Sequence, residues 1–313
     1  MAFFESTSGA QKNLVELFDF VWPTAAAMWN LRWQVSGYLQ ALPSAPQESL
    51  MGRFVEGSGI QGVNLRKTCL DQTWESQQEE FARFALINTI ATFEAWLRQT
   101  LRTLGADTKE NEKELQFPTE TTKAKTRGVQ NAIDRITTSE SNLIKGVFYP
   151  LLRQNRKYAT GHLESLLICY RYFKELRNSL IHHGGEADKK AEEAYAAFAA
   201  IATPSQLHVA EVPKHHAVYS GTPIKLDLRG VAGFSDIIIK IITTLDAELA
   251  RAESAELELK KRILKVSKTK HQLSSDKNKR HQQLLGLTRK LGLPKPTSTI
   301  EFETFLRSHN LAS

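Results

Sequence analysis

The chain has 313 residues, of which 41% are hydrophobic, so it is long enough to bury a sizeable core in one large domain or two smaller ones. A wholly disordered chain does not fit this composition. The longest apolar runs fall short of the roughly 18 to 20 residues that span a bilayer, and no basic leader followed by an apolar run begins the sequence. With only two cysteines, Cys69 and Cys169, we expect a cytoplasmic protein without a membrane span or a thiolate metal cluster.

The formal net charge of +7 is concentrated near the C-terminus. Residues 260–295 contain twelve basic residues and one acidic residue, Asp276. Such a segment attracts a polyanion such as RNA or DNA, because binding releases condensed counterions. A solvated basic tail is the alternative. The residues of this segment that we predict to contact RNA are Lys260, Lys261, Arg262 and Lys265.

The N-terminal region, residues 1–72, is predicted to be helical. Two helices are expected, at 11–20 and 24–42, because Pro23 fits the first turn of a helix better than its interior. Five tryptophans fall in or beside predicted helices, and we assign them to the core rather than to a base-stacking platform. They are Trp22, Trp29, Trp33, Trp74 and Trp96.

Residues 73–203 are predicted to form the central helical core. A helix over 73–104 follows from apolar residues that recur every three or four positions, and Gly105 is a suitable end for it. Residues 106–125 are polar and include a proline, so we interpret them as a connection. Further helices are predicted at 128–137, 141–154, 161–182 and 186–202.

The last third of the chain is predicted to change character twice. Residues 204–232 are expected to form a small strand-like insert, because Ile224, Leu226 and Leu228 alternate with polar residues. Residues 233–313 are expected to hold C-terminal helices that carry the basic segment. These helices are predicted at 234–265, 284–291 and 299–308.

The segment from Arg177 to Gly185 has the residue types needed for phosphodiester chemistry. Asn178 and His182 are four residues apart, so on one helix they share a face. Arg177 starts about 140° around the helix from His182, but its long side chain can reach toward the same place. An arginine to bind phosphate, an amide to orient it and a histidine suit metal-free cleavage. The alternative is a helix C-cap with favourable dipole partners.

These residues resemble the signature of the HEPN domains, helical domains of prokaryotic defence and toxin proteins. That signature is an arginine, commonly followed by asparagine, with a histidine four to six residues later near a helix end. Arg177, Asn178 and His182 match it, and His183 is an alternative in the same window. The segment 84–97, with its Phe-Glu-Ala-Trp-Leu ending, also resembles the early helix of the family.

The resemblance spans about residues 75–202 and implies an antiparallel helical bundle that forms a homodimer with a composite active site. It implies a metal-independent endoribonuclease that needs no cofactor. His182 would assist attack of a ribose 2′-hydroxyl, and Arg177 would stabilise the charge on the phosphate. Asn178 would position Arg177, His182 or the substrate. The products would carry 2′,3′-cyclic phosphate and 5′-hydroxyl ends. Anti-phage defence or a toxin–antitoxin module is the expected setting, with an antitoxin or defence-system protein as partner.

Several alternatives stay open at this point. Glu94 either pairs with an arginine in the cleft or faces solvent, and some HEPN proteins are non-catalytic partners or scaffolds. The basic residues near the predicted active-site helix either contact RNA or belong to a solvated surface. They are Arg153, Arg156, Lys157 and Lys174. Adjacent histidines at 215 and 216 would point to opposite faces of a strand, so we predict no metal site there.

Overall fold

The computed structural model describes residues 2–121, 125–266 and 270–313, and within them the protein is mainly helical. The helices are α1 Glu5–Ala41, α2 Gln47–Phe54, α3 Trp74–Leu104, α4 Lys109–Glu114, α5 Val129–Ile136, α6 Tyr149–Leu152, α7 Leu163–His182, α8 Lys189–Ala199, α9 Pro204–Leu207, α10 Leu228–Ala250, α11 Ala255–Val266, α12 Lys277–Lys290 and α13 Thr299–Ser308. Two π-helical turns, Lys67–Asp71 and Ile144–Phe148, and one 3-10 turn, Thr160–His162, lie between them.

The helix α10 lies at the centre of the protein, packed against α1, α3 and α7. Every residue of α10 from Lys240 to Ala250 is buried, so this part of the helix is surrounded on all sides. Phe234 near its start stacks on Phe173 of α7, with ring centroids 4.3 Å apart. The core therefore extends from α10 into the helix that carries the candidate site.

The buried carboxylate of Asp246 on α10 anchors the N-terminal segment. Its Oδ2 accepts a hydrogen bond from the Phe3 amide at 2.7 Å, and its Oδ1 accepts from the Phe4 amide at 3.0 Å and from the Thr7 hydroxyl at 2.6 Å. The Trp96 indole of α3 donates to the same hydroxyl at 2.8 Å. The side chains of Phe3 and Phe4 are themselves buried in the core. One carboxylate thus joins the start of the chain to α1, α3 and α10.

The two long helices predicted for the central core are confirmed. Helix α3 begins after Thr73, whose hydroxyl accepts a hydrogen bond from the Ser76 amide, and it ends at Gly105 with a φ of 66°. Helix α7 ends at His182 as predicted. The predicted helix at 234–265 is instead two helices, α10 and α11, because residues 251–254 turn and the Glu253 amide donates to the carbonyl of Ser139.

The prediction of two N-terminal helices separated by Pro23 is wrong, because α1 runs through the proline without a break. A proline inside a helix leaves one carbonyl of the preceding turn without its donor. Next to it, the Thr24 hydroxyl donates to the carbonyl of Phe20 at 2.7 Å. The packing of α1 against α3 and α10 then holds the helix on both sides of the proline.

The assignment of all five tryptophans to the core is also wrong. Trp96 is 2% exposed, but Trp22, Trp29 and Trp33 on α1 are 42%, 39% and 65% exposed. The Trp29 ring contacts the rings of Trp33 at 5.8 Å and Trp74 at 5.1 Å. Trp29 and Trp33 of α1 and Trp74 at the start of α3 therefore form an aromatic cluster near the surface.

The predicted strand-like insert is not a sheet. Residues 208–227 contain no strand and run as extended chain over the end of α7, with one isolated bridge between Glu186 and Pro223. Pro213 and Pro223 cannot donate to a strand ladder, and Gly221 adopts a φ of +79°. The alternation of Ile224 and Leu226 reflects burial against the helices rather than strand pairing.

The described strands lie in the polar connection at 106–125 instead. β1 (Glu120–Thr121) pairs antiparallel with β2 (Thr126–Arg127), and residues 122–124 between them lie outside the described residues. The connection also contains α4, whose start is capped by the Thr108 hydroxyl. The predicted connection therefore contains a short helix and the first strand of an antiparallel pair.

We predict that the anchoring of the N-terminus weakens as pH rises through the range of about 4 to 6. Burial raises the pKa of Asp246 to about 6 from an ordinary 3.8, so the folded state holds this proton more tightly than the unfolded state. Stability from this group is therefore largest below its unfolded pKa and falls as pH rises, by about 3 kcal/mol. Urea unfolding of the wild type and of Asp246→Ala should show a stability difference that shrinks over this range. A difference that grows with pH contradicts the prediction.

Candidate functional site

The candidate site lies on α7 where this helix faces α3. Leu166, Leu167 and Tyr170 bury one side of α7 in the core. At its end, Gly184 and Gly185 take left-handed backbone with φ of 65° and 90°, which an L-residue adopts only with strain. His182 is thereby the last helical residue, and its side chain is exposed.

Glu94 of α3 lies between two cations of α7. Its Oε1 is 3.0 Å from the Lys174 ammonium, and its Oε2 is 3.9 Å from Nη2 of Arg177. All three side chains are about four-fifths buried, with exposed fractions of 17%, 18% and 21%. Of the two readings left open for Glu94, pairing with an arginine in the cleft is therefore the one that the structure supports.

Asn178 extends this contact along α7. Its Oδ1 accepts a hydrogen bond from Nη1 of Arg177 at 3.1 Å, and its Nδ2 donates to Oε2 of Glu175 at 3.0 Å. Glu175 is also ion-paired with Arg171 at 2.5 Å. We call Glu94, Lys174, Glu175, Arg177 and Asn178 the Arg177 cluster. In it, the amide oxygen of Asn178 accepts a hydrogen bond from the guanidinium of Arg177.

The connection between α4 and α5 closes one side of the Arg177 cluster. The amide oxygen of Gln116 accepts from the Lys174 ammonium at 2.5 Å and from the Tyr170 hydroxyl at 2.8 Å. The Arg171 guanidinium lies over the ring of Phe117, 4.1 Å from its centroid. Burial, and next the charge of Glu94, raise the pKa of Tyr170 well above its ordinary value, so its hydroxyl stays a proton donor. The cluster is held from three segments of the chain.

The guanidinium of Arg177 is not fully satisfied. Its Nε is buried and has no hydrogen-bond partner in the described structure, while Nη1 and Nη2 face Asn178 and Glu94. A buried donor without an acceptor is costly, and an incoming anionic oxygen would remove that cost. Arg177 is thus held in place by its neighbours, and its buried Nε–H has no partner among the described residues.

The structure does not join His182 to Arg177 by a direct bond. The imidazole of His182 makes no hydrogen bond to any described residue, and it lies about 6 Å along the helix from Asn178, on the same face. Nδ1 of His183 is 3.8 Å from Oδ2 of Asp188, which also caps α8 by accepting from the Ala191 amide. Of the two candidate histidines, His182 is therefore the one whose side chain has no partner among the described residues.

The residues predicted to contact RNA lie in separate parts of the structure, and the prediction that Arg262 contacts RNA is wrong. It is 7% exposed, and its guanidinium donates to the carbonyls of Phe3 and Leu291, so it holds the N-terminal segment and is not part of a binding surface. Lys174 is bonded inside the Arg177 cluster. Lys157 is ion-paired with Asp236 at 2.8 Å.

The other predicted RNA contacts lie near the surface in two separate places. Arg153 and Arg156 are exposed beside α6, and the Arg153 guanidinium lies over the rings of Tyr149 and Tyr158. On α11, Lys261 is exposed, Lys265 lies 3.4 Å from Glu5, and the Lys260 ammonium is 5.8 Å from the ring centroid of Phe305. The basic residue Lys268 falls outside the described residues.

The histidines at 215 and 216 do not belong to a metal site among the described residues. No group of three or more histidine, cysteine, aspartate or glutamate side chains among the described residues is arranged to hold a metal ion. His215 packs against the ring of Phe198 and hydrogen-bonds the carbonyl of Pro213. Nor does any described helix combine the length and apolar character needed to cross a membrane.

The sequence alone did not point to Glu175, Gln116 or Arg171. Arg171 and Glu175 have the spacing of an ion pair on one helix, which is a readable signal. Gln116 has no such signal, since it reaches Lys174 only through the tertiary path of the connection between α4 and α5.

Comparisons with known proteins add no assignment: no protein-family model, no curated protein and no solved structure matches this chain.

We predict that Glu94→Gln destabilises the protein by about 2 kcal/mol, because it leaves the largely buried charges of Lys174 and Arg177 without a carboxylate on α3. The matched control is Glu193→Gln on α8, whose carboxylate is 67% exposed and 4.0 Å from Lys189. It should change the free energy of unfolding by about 0.5 kcal/mol or less. Equal effects of the two variants in urea unfolding would show that Glu94 does not hold the cluster together.

Proposed function

We propose that the protein is a metal-independent endoribonuclease of the HEPN type. One observation carries the proposal: the two segments that resemble HEPN domains, on α3 and α7, are joined through Glu94, Lys174 and Arg177. Glu94 and Lys174 are 80 residues apart in sequence, so local structure explains neither their ion pair nor its burial. The pairing of Arg177 with Asn178 and the exposure of His182 support the roles that the resemblance assigns to them.

In the proposed reaction, the imidazole of His182 takes the proton of a ribose 2′-hydroxyl. The 2′-oxygen then attacks the adjacent phosphorus, and the bond from phosphorus to the 5′-oxygen breaks. A proton is delivered to the leaving 5′-oxygen, which gives a 5′-hydroxyl and a 2′,3′-cyclic phosphate. Arg177 stabilises the negative charge that grows on the phosphate oxygens, and Asn178 keeps its guanidinium oriented.

A homodimer supplies the second proton-transfer group. The site described within one chain holds a single unpartnered histidine, whereas cleavage needs both a base and an acid. Two copies that meet at the ends of their α7 helices would bring two His182 side chains to one phosphate. A ribonuclease of this kind must be restrained in the cell. The proposed setting is therefore anti-phage defence or a toxin–antitoxin module in the cytoplasm, with an antitoxin or defence-system protein as partner.

We expect purified protein to cleave RNA in EDTA, and His182→Ala to reduce the rate by about a hundredfold or more, because positioned acid–base groups contribute factors of that size. The readout is the rate of cut-site formation on end-labelled RNA. His182 is exposed and unpartnered, so the variant should unfold at the same urea concentration as the wild type.

The matched control for this experiment is His183→Ala, one residue further along the chain. Its imidazole lies 3.8 Å from Asp188, and we expect its loss to change the cleavage rate less than about threefold. If His183→Ala abolishes cleavage and His182→Ala does not, the two histidines have the opposite roles. Equal cleavage rates for both variants and the wild type would show that neither histidine is catalytic.

A second candidate function is binding of nucleic acid without cleavage, as a HEPN-fold partner or scaffold. It is favoured by a set of exposed cations on α11, α12 and the chain after α12 that form no ion pair within the described structure. They are Lys261, Lys277, Lys279, Arg289, Lys290 and Lys295. We call them the C-terminal basic surface.

Binding through the C-terminal basic surface has a measurable salt dependence. The triple variant Lys277→Ala, Lys279→Ala, Lys290→Ala should lower the slope of log affinity against log salt by about 3, roughly one per lost phosphate contact. Lys189→Ala on α8, with an ammonium that is 83% exposed, is the control and should leave the slope unchanged. A triple variant with the wild-type slope contradicts RNA contact at this surface.

A further inference from the structure

Helix α1 has an apolar side that the rest of the described structure leaves uncovered. The indoles of Trp22, Trp29 and Trp33 are 42%, 39% and 65% exposed. Residues 20–31 include no charged side chain, so more than three turns of the helix carry no ion on this surface. The next residue, Arg32, donates to two backbone carbonyls of the chain between α2 and α3. A contiguous aromatic surface without charges is typical of a protein–protein contact.

The exposed residues of this side have the spacing of helices that pack along their length. Trp22, Ala26, Trp29 and Trp33 are separated by four, three and four positions, and all four are exposed. At about 100° per residue they fall within a stripe about 60° wide. Alternate spacings of three and four place side chains along one line of contact with a neighbouring helix. We call these four residues the α1 seam.

The α1 seam is complementary to itself when two copies of α1 run antiparallel. A two-fold axis between residues 27 and 28 places Trp22 of one copy opposite Trp33 of the other. The same axis places Ala26 opposite Trp29, so that a small side chain faces a large one at the centre of the contact. Pairs of large and small side chains let two helices approach closely without leaving a gap.

The charge of Asp19 favours the antiparallel direction over the parallel one. Asp19 is exposed and lies one step of the same stripe before Trp22. In a parallel pair it would face its own copy, and two carboxylates at close range repel each other. In the antiparallel pair it faces Ser36, which carries no charge.

The area of the α1 seam is sufficient for a specific contact. If a whole indole side chain offers about 250 Å², the exposed fractions of the three tryptophans amount to about 350 Å² per copy. Pro23, Asn30 and Gln34 on the same side of α1 are also exposed. With them, two copies would bury about 1,000 Å² in total, which is the lower bound for a specific protein–protein interface.

We propose that the α1 seam joins two copies of this chain, which lie antiparallel along α1 about a two-fold axis. This contact uses a different helix from the pairing of α7 ends in the proposed cleaving dimer, and it does not depend on ribonuclease activity. If both contacts form, four chains assemble rather than two.

The test is the mass of the full-length protein in solution, measured by sedimentation equilibrium at about 1 to 100 μM, where interfaces of modest area associate. We expect the wild type to have twice the mass of Trp33→Glu, because the new carboxylate would be buried in the contact without a partner. Ala26→Glu should halve the mass too. Its side chain points to solvent in the single chain, so this variant loses no packing if Trp33→Glu fails to fold.

The matched control is Ile300→Glu on α13, where an isoleucine that is 76% exposed is replaced by the same charged residue. It should keep the mass of the wild type. If both seam variants keep the wild-type mass, or if Ile300→Glu halves it as they do, the proposal is wrong. RNA cleavage is not part of this measurement, so failure of the seam is distinct from failure of the proposed ribonuclease.

Distances between spin labels test the antiparallel direction. The labels are attached to Gln34→Cys in one protein and Lys12→Cys in another, both at exposed positions of α1, whereas the native Cys69 and Cys169 are buried. From the helical rise and the separation of packed helices, we expect about 25 Å between labels at position 34 and about 50 Å at position 12. A distance of about 20 Å at both positions would indicate a parallel pair and contradict the proposal.

Discussion

The hydrogen bonds from the N-terminal segment to Asp246 are the interaction on which the packing of the long helices depends. A carboxylate buried on every side must have its acceptors filled, and the amides of Phe3 and Phe4 and the hydroxyl of Thr7 fill them. This fixes the start of α1 against α10 and places Trp96 of α3 in the same contact. Helix α3 is then held at the angle at which Glu94, close before Trp96, meets α7. The geometry of the Arg177 cluster thus follows from a core contact that has no part in its chemistry.

Helix α7 combines two different environments along its length. Tyr172 and Phe173 bury one face, in ring contacts with Phe198 and Phe234, which prevents the helix from rotating or sliding. The remaining positions carry the polar residues of the Arg177 cluster near one end and meet the His162–His208 pair at the other. One helix thus carries the Arg177 cluster near its C-terminal end and borders the stacked histidines at its N-terminal end.

The sequence predicted the parts of the fold that depend on local rules. The spacing of apolar residues and the glycines that follow each helix predicted α3 and α7. Tertiary contacts decided the rest. Arg262 is a basic residue in a basic segment, as expected of an RNA contact, but the N-terminal segment buries it. Helix α1 continues through Pro23 because the neighbouring helices hold it. Residues 208–227 have a strand pattern but no neighbouring strand to pair with.

The most direct test of the proposed function uses a single oxygen atom of the substrate. An RNA oligonucleotide that the protein cuts in EDTA is compared with the same oligonucleotide carrying one 2′-deoxy nucleotide on the 5′ side of the cut. We expect cleavage at that bond to disappear while cuts elsewhere continue, because the attacking nucleophile has been removed. In the unsubstituted RNA the fragments should carry 2′,3′-cyclic phosphate and 5′-hydroxyl ends. Cleavage of the substituted bond at the original rate would contradict attack by the 2′-hydroxyl, and with it the proposed roles of Arg177 and His182.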